Sequence, residues 1–228
     1  DVLRAGKNVV SEKPVTMTSE DLEDMIAVAN ETGKLFTVHQ NRRWDEDYLT
    51  AKKIFDEKTI GNVFRFESKV QGSHGIPGGW RGEKAHGGGM VLDWGVHLLD
   101  QMLTMMAPRK LLSVYATLTN ITNNECDDGF YAVSKFEGGI TWLVEVVTNN
   151  FIEMPRWYVL GENGSAVIKN WKCEGEVVKV INWEKYDVTP VAAGAGLTKT
   201  MAPRNSDTVK SFPVEKVDAD WTSYYKNL

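Results

Sequence analysis

Apolar positions follow two rhythms along this chain. Up to about residue 60, short apolar runs alternate with stretches of helical spacing; from Asn62 onward the period falls to two. Residues 8–11 form a short apolar strand, closed by Pro14 because proline cannot donate to a ladder. Thr18 or Ser19 can cap the next helix, which carries Glu20 and Asp21 at its positive end and Leu22, Met25, Ile26 and Ala29 at helical spacing. Gly33 stops that helix, and residues 34–39 make a second strand. Strand, helix, strand with short links is a βαβ unit whose strands run parallel. Residues 1–7 read as the last turns of an earlier helix stopped by Gly6. Tyr48, Ala51, Ile54 and Phe55 mark a further amphipathic helix that closes at Gly61.

The second rhythm belongs to strands. Residues 63–71 alternate Phe64, Phe66, Ser68 and Val70 against Arg65, Glu67, Lys69 and Gln71. Residues 111–121, 130–137 and 140–149 are three more strands, the last two joined through Gly138 and Gly139. Residues 157–160 and 166–169 flank a turn at 161–164, and 177–181 continue the series. The stretch 185–213 is the least regular, and 218–228 read as the start of a helix. The expected fold is α/β. A remnant of a Rossmann-like parallel sheet occupies residues 1–42. An α+β domain over 43–228 follows, its large open-faced, mostly antiparallel sheet covered by helices on one face. In the strand at 140–149, Ile140, Trp142, Val144 and Val146 share one face, yet Leu143 and Val147 flank Glu145 on the other. Apolar groups on both faces predict a homo-oligomer formed through the open face.

The densest chemistry lies in residues 86–101, HGGGMVLDWGVHLLDQ, a glycine turn running into a largely buried helix. Asp93 and His97 are four apart and share a helical face, about 5–6 Å from each other. Burying them without partners is costly, so they either pair and cap backbone or face a ligand. Gly87, Gly88 and Gly89 would expose N–H groups and admit a ligand closely. The loop at 73–88, with His74, Trp80, Arg81, Lys84 and His86, is long enough to suggest function, although Trp80 also suits the edge of a core. Gln40, Asn41, Arg42, Arg43 and Trp44 follow a parallel strand at its carboxyl end, where ligands collect in open α/β sheets. The two arginines equally suit a salt-bridged helix start.

Composition removes several classes. The 228 residues are 42% hydrophobic and 25% charged with a formal charge of −5, and no basic run offers a footprint for nucleic acid. No apolar run approaches the roughly 20 residues that span a bilayer, so no membrane partner is expected. Cys126 and Cys173 stand apart, and His39, His74, His86 and His97 form neither HxH nor HxxxH. No metal site is expected, and the cysteines read as reduced thiols of a cytoplasmic protein.

Four segments in order, EKP at 12–14, HQNRRWD at 39–45, GGWRG at 78–82 and GGGMVLDWGVHLLD at 87–100, resemble the Gfo/Idh/MocA family of NAD(P)-dependent sugar and polyol oxidoreductases. The resemblance implies a Rossmann domain followed by a domain whose open-faced sheet commonly dimerises. No GxGxxG turn precedes the βαβ unit here. The resemblance therefore implies a fragment centred on the second domain, holding NAD or NADP weakly or not at all and inert in one reading. By the same resemblance Lys13 approaches the nicotinamide and the reacting hydroxyl, His97 is the general acid/base, and Asp93 is its companion or a substrate ligand. Glu12, Trp80, Arg81 and Gln40 would neighbour the cofactor, and Arg43 the substrate.

The implied reaction is hydride transfer between NAD(P) and a hydroxyl of a sugar, polyol or cyclitol. Histidine suits the proton step because its ordinary pKa of about 6.5 lies near working pH, and an anionic Asp93 is expected to raise its basicity. A glycosidase or epimerase working by transient oxidation, and a non-catalytic sugar or nucleotide sensor, are the alternatives. The first releases no net NADH; against the second stands the joint presence of Lys13, Asp93 and His97.

Overall fold

The computed structural model describes residues 1–183, 188–220 and 222–228. Residues 184–187, at the start of the irregular stretch, and 221, in the terminal segment, lie outside the described residues. At the amino-terminal end β1 (Val9–Ser11) and β2 (Phe36–Val38) pair in parallel, Val9 opposite Phe36, with α1 (Ser19–Thr32) as the crossover. The Thr18 hydroxyl oxygen accepts from the Asp21 N–H at 3.2 Å, and Gly33 ends α1 at φ 62°, the cap and the stop that the sequence predicts. Residues 1–7 form one short turn instead of a helix end, closed by Ala5 N–H to the Asp1 carbonyl at 2.9 Å.

The second sheet has eight strands: β3 (Val63–Gln71), β4 (Leu111–Thr119), β5 (Gly129–Phe136), β6 (Thr141–Val147), β7 (Trp157–Gly161), β8 (Gly164–Ile168), β9 (Gly175–Val180) and β12 (Val209–Pro213). Their spatial order is β12-β9-β8-β7-β3-β6-β5-β4, and only β3 and β6 run parallel. The irregular stretch of the sequence is more ordered than its composition suggests. A small hairpin, β10 (Val191–Ala193) with β11 (Gly196–Thr198), precedes β12, which joins the large sheet through pairs that no local periodicity announces.

Helices α2 (Glu46–Asp56) and α3 (Val96–Met106) cover one face. Register explains how that face packs. Ser134, Trp142, Phe66, Val159 and Ala166 lie opposite one another across five strands, and Phe66 stacks on Trp142 with ring centres 4.3 Å apart. Trp142 is fully buried, its indole N–H donating to the Ser68 hydroxyl at 3.0 Å, so a large apolar ring enters the core without an orphaned donor. The opposite face carries Tyr115, Val133, Leu143, Glu67 and Tyr158 in one row. Leu143 is buried there while Tyr115 stays exposed. At the sheet's end β4 is exposed along its whole length.

Trp142→Ala should cost about 3–5 kcal/mol, as for other large aromatic truncations in a close-packed core. Urea unfolding followed by fluorescence measures it, and a loss below about 1 kcal/mol would place Trp142 outside the core.

Candidate active site

Lys13 leaves β1 and reaches across to the second sheet's domain. Its ammonium donates to the Asp93 carboxylate at 2.8 Å and to the Asp93 carbonyl at 2.7 Å. Arg81 holds the other carboxylate oxygen through Nε at 3.1 Å, and its guanidinium lies 4.6 Å over the Trp80 ring. Asp93 is thus a buried anion clamped by two cations from different segments, which is what makes its burial tolerable.

The helix carrying Asp93 begins differently from the expected form. Val91–Gly95 is a turn of π-helix that continues into α3. Such turns cluster at functional sites, since the extra residue re-aims side chains. Here Asp93 meets Lys13 and Arg81, while His97 meets Gln40, its Nδ1 lying 3.1 Å from Gln40 Oε1. The expected Asp93–His97 pair does not form a hydrogen bond. Gly95 allows close packing onto β5, because a Cβ there would come within 2.9 Å of the Phe130 ring.

The triple glycine also has a different purpose. The N–H groups of Gly87, Gly88 and Gly89 are taken by the carbonyls of Lys84, Glu83 and Arg81 at 3.2, 3.0 and 2.9 Å. The helix start is capped by Asp127, whose carboxylate accepts from the Val91 N–H at 2.9 Å and whose carbonyl accepts from the Met90 N–H at 3.0 Å. A Cβ on Gly88 would meet the Arg81 carbonyl at 2.5 Å. These glycines let the loop fold tightly against itself and so deliver Arg81 to Asp93; they do not offer free donors to a ligand.

His97 is only 5% exposed, and its pKa is pushed down to about 3. Burial is the main cause; the positive charges of Lys13 and Arg42 act in the same direction, and Asp93 opposes them without prevailing. The expected gain in basicity is reversed, and the imidazole is neutral at working pH.

A cleft of about 490 Å³ opens between the short sheet and α3, lined by Lys13, Gln40, Arg43, Trp44, Val96 and Asp100 among others. Arg43 stands on its rim with Nε and one Nη bonded to Asp100 at 2.7 and 2.5 Å, and Arg42 pairs with Asp45 at 2.9 Å. Both arginines therefore take the salt-bridged form. Glu12 bonds His39 Nδ1 at 2.9 Å; Glu12, Trp80 and Arg81 do not line this cleft, and Asp93 and His97 lie behind its lining, reached through Lys13 and Gln40. Trp80 is 39% exposed and does not plug the core. Sequence reading gave no role to Asp100, although it closes the last motif, or to Tyr224, whose ring meets His39 edge-on at 4.5 Å. The aromatic pair Tyr224 and Tyr225 was the available signal for the latter.

The His97 shift has a consequence for folding. An unfolded imidazole takes a proton as pH falls below about 6.5, whereas the folded one refuses it until about pH 3. Acid therefore favours unfolding through this group between those values. Urea midpoints of wild type and His97→Leu should diverge over that window, the variant losing less as pH falls; parallel curves would contradict the shift.

Two family models match the chain. Residues 1–40 match the oxidoreductase family with an NAD-binding Rossmann fold, and residues 48–167, more than half of the chain, match the GFO/IDH/MocA C-terminal domain. The uncharacterized oxidoreductase C115.03 of Schizosaccharomyces pombe is 42% identical over 59% of this chain and 37% of its own length. The scyllo-inositol 2-dehydrogenase (NADP(+)) IolW of Bacillus subtilis is 26% identical over 99% of this chain and 63% of its own. The crystal structure of an NAD-binding protein from Listeria innocua superposes with a TM-score of 0.90 at 50% identity, over 99% of this chain and 66% of that one. The chain thus spans less than two thirds of the length of each of these relatives. A short parallel sheet tied through Lys13 to a π-turned helix on a large mixed sheet, with both family models matched in order, makes this chain a member of the Gfo/Idh/MocA oxidoreductase family.

Proposed function

We propose that the protein carrying this chain transfers hydride between NAD or NADP and a hydroxyl-bearing carbon of a sugar, polyol or cyclitol. One observation carries the reading: Lys13, fixed on the Asp93 carboxylate at the cleft wall, acts by its charge on a buried, uncharged imidazole, His97. Oxidising a secondary alcohol removes a proton from oxygen and hydride from the same carbon. His97, already neutral, is in the form that accepts the proton, while Lys13 stabilises the negative charge growing on that oxygen. Asp93 holds the ammonium in place and supplies an acceptor for a neighbouring hydroxyl. The dinucleotide, when bound, takes or gives the hydride.

The cleft's composition fits that cofactor's nicotinamide end. Pro14, Val15, Leu22 and Leu92 supply apolar wall, and Lys13 and Gln40 supply the polar positions. Glu12, Trp80 and Arg81, outside the lining of the cleft, are left as the positions that would neighbour the rest of a dinucleotide. Arg43, held by Asp100, shapes the rim on the substrate side. By its name, the Bacillus subtilis relative oxidises a cyclitol with NADP(+), which supports a polyhydroxylated substrate class here. The free thiols of Cys126 and Cys173 suit a cytoplasmic setting. The row from Tyr115 to Tyr158 suits a second copy of the chain on the open sheet face.

Nicotinamide absorbance during incubation with sugars, polyols and cyclitols tests the reading. His97→Ala should lower kcat by about 10²–10⁴, the range for lost acid/base catalysis. An unchanged kcat would remove His97 from the chemistry.

A further inference from the structure

We infer that Gln40 is a positioning residue that fixes the tautomer of His97, keeping the proton on Nδ1 and leaving Nε2 as the proton acceptor. This rests on the reading of His97 as the base, and deepens it. A neutral imidazole carries one proton and can hold it on either nitrogen, so burial that removes the charge does not by itself say which nitrogen can act. The partner of the other nitrogen decides. His97 Nδ1 faces Gln40 Oε1 at 3.1 Å, and an amide oxygen offers only lone pairs. The ring nitrogen must bring the proton.

Gln40 is well placed to impose this. It stands two residues past the end of β2, its N–H bonded to the Val38 carbonyl at 2.8 Å and its own carbonyl accepting from the Arg43 N–H at 3.3 Å. The backbone is therefore tied on both sides, and the side chain lines the cleft. None of the other groups acting on His97 does the same work. Lys13, Arg42 and His39 act on it by charge and disfavour protonation, Asp93 acts in the opposite sense, and Trp94 meets the ring edge-on at 6.3 Å. Asp93 does not select the tautomer, since its carboxylate bonds Lys13 and Arg81 and makes no hydrogen bond to His97. The arrangement divides the labour of a base. Burial and neighbouring cations keep the ring neutral; Gln40 orients its lone pair.

Long-range ¹H–¹⁵N correlation spectra of the ¹⁵N-histidine-labelled chain read the tautomer without any turnover. The wild type should show His97 neutral at pH 7 with Nδ1 protonated. Gln40→Leu should lower the ratio of that tautomer to the other by about 5–30-fold, the factor carried by a buried hydrogen bond. Gln40→Glu, which keeps an acceptor oxygen, should retain the Nδ1-protonated form. Unchanged His74 and His86 signals show that the fold is intact. An Nε2-protonated wild type, or a Gln40→Leu ratio equal to the wild type's, overturns the inference. The two readings fail separately. An Nε2-protonated ring with turnover lost in His97→Ala refutes only the role of Gln40; an Nδ1-protonated ring with turnover retained in His97→Ala refutes only the role of His97 as base.

Discussion

The ion pair between Lys13 and Asp93 joins two parts of the chain that share no sheet. Lys13 lies two residues past the end of β1 and Asp93 in the π turn before α3, eighty positions away. Both side chains are largely withdrawn from water, at 17% and 10% exposure. A pair so placed forfeits hydration that its attraction only partly offsets, so its value is chiefly one of placement. Its double attachment, to the carboxylate and to the carbonyl of the same residue, leaves the ammonium little freedom. Arg81 completes the clamp from the opposite side, and the glycine loop exists to bring it there.

Around that clamp burial and the neighbouring cations keep His97 neutral, the form that the proposed base would need. A cation near a buried imidazole and the burial itself act in one direction, lowering the ring's affinity for a proton. Brønsted considerations would favour a base closer to working pH. A substrate oxygen carrying developing negative charge would add the missing counter-charge and pull the imidazole back toward that range. In the proposed reaction the Lys13 charge that disfavours a protonated His97 would favour the transfer by stabilising that oxygen.

Much of the fold was legible in the chain because it is local. The Thr18 cap, the Gly33 stop and the alternation in β6 are written in neighbouring residues and fold as read, whereas in β3 a bulge between Val63 and Arg65 buries Val63 and leaves Phe64 exposed. What escaped was set by distant partners. β12 pairs with β9 across the irregular stretch, Arg43 finds Asp100, and Asp127 caps a helix 36 residues before it. The glycines were legible as a tight turn but not as one already satisfied, since their acceptors lie on the loop's own carbonyls. Four-residue spacing put Asp93 and His97 on one face, whereas the π turn gave each its own partner. Motifs thus named the residues of the candidate site, and contacts between segments set what each of them faces.

The central claim is that Lys13 and Asp93 act as one unit across the junction between the sheets. A double-mutant cycle of Lys13→Met and Asp93→Asn, read by urea unfolding at low salt, tests it directly. The account predicts a coupling of about 1–3 kcal/mol, in the range for hydrogen-bonded charges in contact. Additive effects of the two substitutions, within about 0.3 kcal/mol, would contradict it.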